Sequence, residues 1–123
     1  MKLLVLFLVV ITSISVGNAQ AILKVDKTTF KFPSTVQGVL LKHNYKITNT
    51  GTAPLIISDY SVNCTCTKAV LPKHPIAPGE TYSMKVTFDT NEKYFFQDRT
   101  ILLVTNTKKK HSLRFKVKVV PGK

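Results

Sequence analysis

Two cysteines separated by a single residue are the feature of this chain best suited to chemistry. Cys64 and Cys66 flank Thr65. In a regular strand, side chains at i and i+2 share a face with Cβ atoms about 6–7 Å apart, whereas a disulfide needs roughly 3.5–4.5 Å. A bridge therefore requires a local bend, and a β-branched residue resists the positive φ that would ease it. The spacing disfavours a Cys64–Cys66 disulfide without forbidding one.

Three interpretations of this pair remain open. The cysteines pack as small hydrophobic residues or form a bridge with no turnover, which is the favoured interpretation because free cysteine is usually buried. Alternatively, they form a bridge that exchanges easily, as in thiol-redox proteins. In the third interpretation, Cys64 and Cys66 join a third ligand, His74 or Met84, to hold copper or zinc. No zinc-type Cys/His spacing is present, so the sequence predicts no cofactor.

The remaining residues give little support to catalysis. The chain has only six acidic residues, and none pair at a spacing suited to acid–base work. His43 alternates with core positions, His74 lies in a proline-rich connection and His111 lies beside a lysine-rich turn. No nucleophile-elbow, phosphate-loop or zinc-protease motif occurs. We therefore expect a protein that is not an enzyme.

The charge is strongly positive. The chain carries 18 Lys and Arg against 6 Asp and Glu, a formal net charge of +12. The densest cationic region follows the final strand pattern and the turn before it, and its members are Lys108, Lys109, Lys110, Arg114, Lys116 and Lys118. Two roles fit these residues. They form a surface for an anionic ligand or partner, or they protect an edge strand from pairing with another chain.

The first nineteen residues have the pattern of a secretory signal peptide. Lys2 precedes an apolar run over residues 3–16, and Gly17 and Ala19 place small residues before a cleavage site. A second possible site follows Ala21. The apolar run is shorter than the ~20 residues of a spanning helix, so we expect cleavage and a chain that is not an integral membrane protein. Export to the periplasm or cell surface would let disulfides form.

Residues 20–123 have the size of one domain and read as all-β. Alternating apolar and polar residues predict about seven strands among eight candidate segments, 22–26, 29–32, 39–49, 55–60, 64–70, 82–88, 99–105 and 112–120, of which 64–70 is weak. Residues 89–97 read as a polar and aromatic loop. Gly51 marks a turn because it can adopt positive φ. The pattern predicts a single immunoglobulin-like antiparallel β-sandwich.

Several short motifs occur in order along this domain. They are Phe30-Lys31-Phe32, Tyr45-Lys46-Ile47-Thr48-Asn49-Thr50-Gly51, Pro54-Leu55-Ile56-Ile57, Cys64-Thr65-Cys66-Thr67, Pro75-Ile76-Ala77-Pro78-Gly79, Val86-Thr87-Phe88 and Thr105-Asn106. In this set the chain resembles the bacterial exported family catalogued as domain of unknown function 1573, whose members resemble major sperm protein and Hydin sandwiches. The resemblance implies the fold and export, but no activity. Two positions depart from it: Thr65 and Pro33-Ser34 replace glycines.

These observations favour a non-catalytic exported module that binds or scaffolds another exported or envelope protein, through a sheet edge or end loops. One alternative is thiol-redox or soft-metal handling by Cys64 and Cys66. The other is charge-driven adhesion to anionic envelope polymers. An exported chain has no evident use for its charge in nucleic-acid binding, so we expect no nucleic-acid partner.

Overall fold

The computed structural model describes residues 19–122, and the predicted signal peptide lies outside them except for Ala19. Within this range the chain forms nine strands. They are β1 (Leu23–Val25), β2 (Thr29–Lys31), β3 (Thr35–Val36), β4 (Leu40–Asn49), β5 (Ile57–Ser61), β6 (Thr67–Ala69), β7 (Thr81–Asp89), β8 (Phe95–Thr105) and β9 (His111–Val120). The described range holds no helix long and apolar enough to cross a membrane.

The strands form two sheets. One has the order β1-β4-β7-β6, and the other has the order β2-β9-β8-β5, with β3 also pairing with β9. The longest ladders are β4 with β7, from Leu40 opposite Asp89 to Thr48 opposite Thr81, and the hairpin of β8 with β9. All ladders are antiparallel except those of β2 and β3 with β9.

The core lies between the sheets because every second residue of the long strands points inward. Alternation predicted this for β4, β7 and β9, and the prediction is confirmed. The core members are Ala21, Leu23, Tyr45, Ile47, Leu55, Ile57, Ile76, Met84, Val86, Phe88, Ile101, Leu103, Leu113, Phe115, Val117 and Val119. Tyr45 links the sheets, since its hydroxyl donates a 2.6 Å hydrogen bond to the carbonyl of Arg114.

The all-β sandwich is confirmed, with two corrections to its details. The described chain has nine strands where about seven were predicted, partly because a two-residue strand, β3, leaves no alternation to detect. The sandwich is mixed where antiparallel pairing was predicted. After β1 the chain changes sheets, so that β2 runs parallel to β9 and not back along β4. Strand β8 also begins at Phe95, inside the predicted loop.

Asn49 and Gly51 have a different role from the one predicted. Gly51 does not have positive φ, and a Cβ there would lie 2.0 Å from the carbonyl oxygen of Gln20. It must be glycine because the N-terminal segment passes against its backbone. Asn49 is fully buried, and its amide donates to the carbonyls of Ala53 and Ile76 at 2.8 and 2.9 Å. The motif therefore fastens three segments together at one end of the sandwich.

Candidate functional site

The two cysteines lie in a tight turn and form a disulfide. The N–H of Thr67 donates to the carbonyl of Cys64 at 3.2 Å, and this turn brings the two Cα atoms to 5.1 Å. The predicted weak strand over 64–70 is reduced to β6, which begins only after the turn. The sequence argument against the bridge assumed a regular strand and was wrong here, because Thr65 makes the bend without positive φ.

The residues suggested as a third metal ligand lie away from this turn. Met84 has no exposed surface, and it lies four residues along β7 from Phe88, the partner of Thr67, or about 13 Å. His74 is exposed in the connection that carries the chain away from the cysteines after β6. Within residues 19–122 no three His, Cys, Asp or Glu side chains form a group that could hold a metal.

The cysteine turn is at the end of the sandwich where β4 begins and β7 ends. The N–H of Asp89 donates to the carbonyl of Cys66 at 2.9 Å, which attaches the turn to the last residue of β7. The loops at this end are joined through Thr90, whose hydroxyl donates to the carbonyl of Val39 at 2.6 Å and accepts from the N–H of Gly38 at 3.0 Å. The end is therefore held by its own hydrogen bonds.

This end exposes an unusual amount of apolar surface. Phe95 and Phe96 are 68% and 80% exposed. The other large apolar residues exposed here are Val36, Val39, Leu40 and Tyr94. These six residues are called the aromatic end below. Because folding gives no reason to leave adjacent phenylalanines in water, such surface usually marks an interaction site.

The backbone of Phe95 is strained. Its φ is 60°, a left-handed conformation that is a genuine outlier for a bulky residue. Such strain costs on the order of 1–3 kcal/mol and persists where the surrounding structure enforces it, often at functional sites. Here it occurs in the residue that turns the chain from the loop into β8 with its ring in solvent.

The predicted cationic surface is divided in two by the fold. Residues 108–110 form the turn between β8 and β9, whereas Lys118 lies about 25 Å away along β9, next to the aromatic end. Arg114 is engaged by Asp98: its Nε donates to Oδ1 at 2.7 Å, and Nη2 contacts Oδ2. The hydrogen bond from Arg114 lowers the pKa of the Asp98 carboxyl. The charge of Arg114 in β9 is therefore balanced by that of Asp98.

The idea that these cations protect an edge strand is wrong. Strand β9 lies inside its sheet, with β8 on one side and β2 and β3 on the other. The cations instead form part of the sheet's outer face. Lys31 pairs across from Lys116, and the ammonium of Lys118 lies 5.7 Å from the ring centre of Phe96. This places lysines beside an exposed aromatic ring at the aromatic end.

One edge of the same sheet is left open. Strand β5 is short, and its pairing with β8 ends at Ser61 opposite Leu102. On β9, the N–H of Arg114 and the carbonyls of Lys116 and Val120 bond away from β8. Backbone bonding directions alternate along each strand, and paired residues of two antiparallel strands point either toward each other or away from each other. The residues of β8 that pair with these even-numbered positions of β9 therefore have backbone groups that point away from β9. The backbone groups of Phe96, Asp98 and Thr100 therefore face a side that no strand of residues 19–122 occupies, which is called the free edge below.

Arg99 lies at the same place but points inward. Its guanidinium lies 5.6 Å from the ring centre of Phe88, with Nη1 and Nη2 bonded to the carbonyl of Asp98 and the side chain of Gln97. Its buried Nε has no hydrogen-bond partner, and in the described range no carboxylate lies within 4.0 Å of the group. A recess of about 330 Å³ separates Arg99 and Thr100 from Cys64 and Thr67.

The two partly buried histidines, His43 and His111, have structural roles. His43 stacks on Phe30 with ring centres 3.7 Å apart, as its alternation with core positions suggested. Burial lowers the pKa of His43, an effect opposed by nearby Asp26. Burial and Lys109 lower the pKa of His111. Neither histidine lies near the cysteine turn.

Sequence reasoning missed the aromatic end, the free edge and Arg99. The run Tyr94-Phe95-Phe96 inside a polar segment was a detectable signal, because three adjacent aromatics do not alternate and cannot all be buried by a strand. The free edge depends on where β5 stops, and the environment of Arg99 depends on the packing of two sheets. Neither leaves a local pattern.

Two packed sheets, with the last strand between an antiparallel hairpin partner and parallel first strands, define an immunoglobulin-like β-sandwich. The chain belongs to the family described as protein of unknown function DUF1573, which it matches over residues 23–119. This confirms the resemblance seen in its motifs. No functionally curated protein matches the chain.

Solved structures agree on the fold. A protein of unknown function from Porphyromonas gingivalis W83 is 21% identical with a TM-score of 0.68, over 85% of this chain and 49% of that one. The Vibrio cholerae VesB protease is 15% identical with a TM-score of 0.63, over 80% and 32%. The PapD-like domain 7 of human CEP192 is 13% identical with a TM-score of 0.59, over 85% and 89%. The chain thus spans half or less of the first two.

Proposed function

We propose that this protein is an exported, non-catalytic module that binds another exported or envelope protein through the aromatic end. The observation that carries this proposal is the exposure of Phe95 and Phe96 next to Lys118. A protein-binding surface combines apolar anchors with surrounding charge, and aromatic residues are enriched there. An immunoglobulin-like sandwich is compatible with such a binding role, and the family is described as one of unknown function.

Export is part of the proposal and has two supports. The first nineteen residues have the signal-peptide pattern, and the Cys64–Cys66 bridge suits an oxidising compartment. The fold favours cleavage after Ala19 over the second site. The carbonyl of Gln20 accepts from Thr52 and Ala53, and Ala21 is in the core. Protein recovered from the exported fraction should therefore begin at Gln20 by intact mass, and a mass that retains residues 1–19 contradicts export.

The binding role is tested with the mature protein as bait in extracts of the cell envelope. Replacing both Phe95 and Phe96 with serine should abolish capture of the principal partner. The matched control replaces Leu102 and Val104, two exposed apolar residues of the same strand, with serine and should retain it. Equal capture by both double variants, or no capture above an unrelated protein of equal charge, overturns the proposal.

A second candidate function uses the bridge. Thiol–disulfide exchange would begin with attack of a partner's thiolate on one sulfur, which forms a mixed disulfide and releases the other cysteine as a thiolate. The observation that favours it is that the bridge lies at the same end as the exposed aromatics. Replacing Cys64 and Cys66 with serine separates the two functions: capture by the aromatic end survives, whereas exchange with a test dithiol is lost.

A further inference from the structure

We propose that an extended, acidic segment of a partner protein adds as a strand to the free edge of β8, in the place that a longer β5 would fill. This inference rests on the proposed function and specifies the conformation and charge of the bound segment. The aromatic end would contact the partner around that segment.

The backbone supplies the first part of the argument. Phe96, Asp98 and Thr100 present N–H and carbonyl groups to the side where β5 has already ended. Of these groups, the Asp98 carbonyl accepts a 3.1 Å bond from the side chain of Arg99. Strand addition satisfies such a row with main-chain hydrogen bonds, and side chains then give specificity. The row spans about 14 Å, which is the length of some five added residues.

The edge has little of the usual protection against pairing. Natural edges are shielded by proline, by lysine, by inward-pointing charges or by a covering loop. Of the charged devices, this edge has the inward-pointing Arg99. Residues 95–101 contain no proline, and the aromatic residues Phe95 and Phe96 stand where a shielding lysine would. The segment after β5 lines the far side of a recess of about 330 Å³ with Val62, Asn63 and Cys64, opposite Asp98 and Thr100. The disulfide fixes the turn at this far wall.

Charge decides what kind of segment fits. Arg99 lies in the recess with a buried, unpartnered Nε and no carboxylate within 4.0 Å among residues 19–122. The single acid on the edge, Asp98, is already neutralised by Arg114. Lys118 and Lys116 extend the positive field over the outer face. A carboxylate on the added strand would find a cation on either face of the sheet, and arginine binds carboxylates through paired hydrogen bonds.

A second copy of this chain fits the edge less well. Each copy carries a formal net charge of +12, so edge-to-edge pairing would bring two sets of cations together. The inference therefore commits to an acidic partner segment, and self-pairing becomes an outcome of the test.

The probe is a capped seven-residue synthetic peptide that alternates valine and glutamate. It is titrated into the mature protein while the backbone amide signals are followed by NMR. The amides of Phe96, Asp98 and Thr100 should shift, and those of β4 should not. Methylating alternate peptide nitrogens removes the strand hydrogen bonds, and replacing glutamate with glutamine removes the charge. Each change should weaken binding about tenfold or more.

Two protein variants complete the test. Thr100→Pro places a ring at the free edge without removing a bond to β9, so the fold should survive and binding should be lost. Ser112→Pro is the matched control, because the backbone of Ser112 points away from β8 beyond the end of β2. The glutamates of an alternating peptide all lie on one face, so Arg99→Gln should abolish the preference for the glutamate peptide if they face inward, and replacing Lys116 and Lys118 with glutamine should abolish it if they face outward. Thermal unfolding of each variant checks that it is folded.

The outcomes separate this inference from the proposed function. No amide shift at millimolar peptide, or equal binding of the methylated peptide, overturns strand addition. Equal binding of the glutamate and glutamine peptides overturns the acidic partner. Dimerisation that Thr100→Pro abolishes replaces the partner segment with a second copy. In each case, loss of envelope capture by the Phe95 and Phe96 double variant would still support the proposed binding role.

Discussion

At the scale of single residues, Phe95 shows a conflict between folding and surface. Its side chain is mostly in solvent, so the core gains little from it, while its left-handed backbone costs free energy. Stability therefore does not explain this residue. The proposed binding role would account for both observations, because natural sites retain strain where function requires it.

Phe95→Asn should therefore stabilise the protein while it weakens partner capture. Asparagine tolerates positive φ far better than phenylalanine, so we expect the free energy of unfolding to rise by about 1 kcal/mol. Urea denaturation measures the change. The control is Phe96→Asn, since Phe96 is also mostly exposed but does not have positive φ. A loss of stability in Phe95→Asn equal to that of the control would contradict the strain argument.

Asn49 is the opposite case. It is a buried polar residue that stabilises the fold and is not exposed to a binding partner. Its amide satisfies two carbonyls, and its oxygen accepts from the N–H of Gly51 at 3.0 Å. Asn49→Ala would leave these buried groups without partners and should cost about 3 kcal/mol. Asn44→Ala, at an exposed position of the same strand, should change stability by no more than about 0.5 kcal/mol. Chemical denaturation of both variants provides the comparison.

At the scale of strands and turns, the sequence predicts the strands that have one buried face, but it does not predict where strands end or where the chain turns. Alternation identified β4, β7 and β9 because one face of each is buried along its whole length. It failed for β8, whose first residues leave the core and follow no alternation. It also failed for the cysteine turn, where a local bond from Thr67 to Cys64 replaces the strand and a bond from Asp89 attaches the turn to β7.

The candidate site was predictable in part for the same reason. Cys64 and Cys66 are visible as a pair in the sequence, and so are the cations of β9. That Lys116 and Lys118 face an exposed aromatic ring, while Arg114 is bound to Asp98, depends on the register of β8 against β9. The free edge exists because a register shift near Ile57 and an early end at Ser61 leave β5 too short to cover β8. Those features follow from tertiary structure alone.

Removing the disulfide should loosen the turn more than the sandwich. A bridge that closes so short a loop restricts the unfolded chain only modestly, so serine at both Cys64 and Cys66 should lower the free energy of unfolding by about 1.5 kcal/mol. Hydrogen exchange should accelerate first at Thr67 and Asp89, whose N–H groups hold the turn. Unfolding of the whole domain at neutral pH, or unchanged exchange at these two amides, would contradict this assignment.

At the scale of the whole molecule, net charge and partly buried histidines make stability depend on pH. The pKa values of His43 and His111 are both lowered, chiefly by burial. Below an unfolded-state value near 6.5, the unfolded chain binds protons that the folded chain resists. The stabilisation is therefore complete above about pH 6.5 and decreases as the pH falls toward the folded-state values. Added protons also raise a positive charge that already repels itself.

The melting temperature should therefore fall between pH 7.5 and pH 5.5, a window above the titration of Asp98, whose pKa is lowered by its hydrogen bond to Arg114. Replacing both His43 and His111 with glutamine should flatten this slope even if it lowers the melting temperature overall. His74→Gln removes one exposed imidazole and serves as the control. If the double variant kept the full slope, the titration of His43 and His111 would not be its source, and the prediction would be wrong, because the slope measures the protons that unfolding takes up.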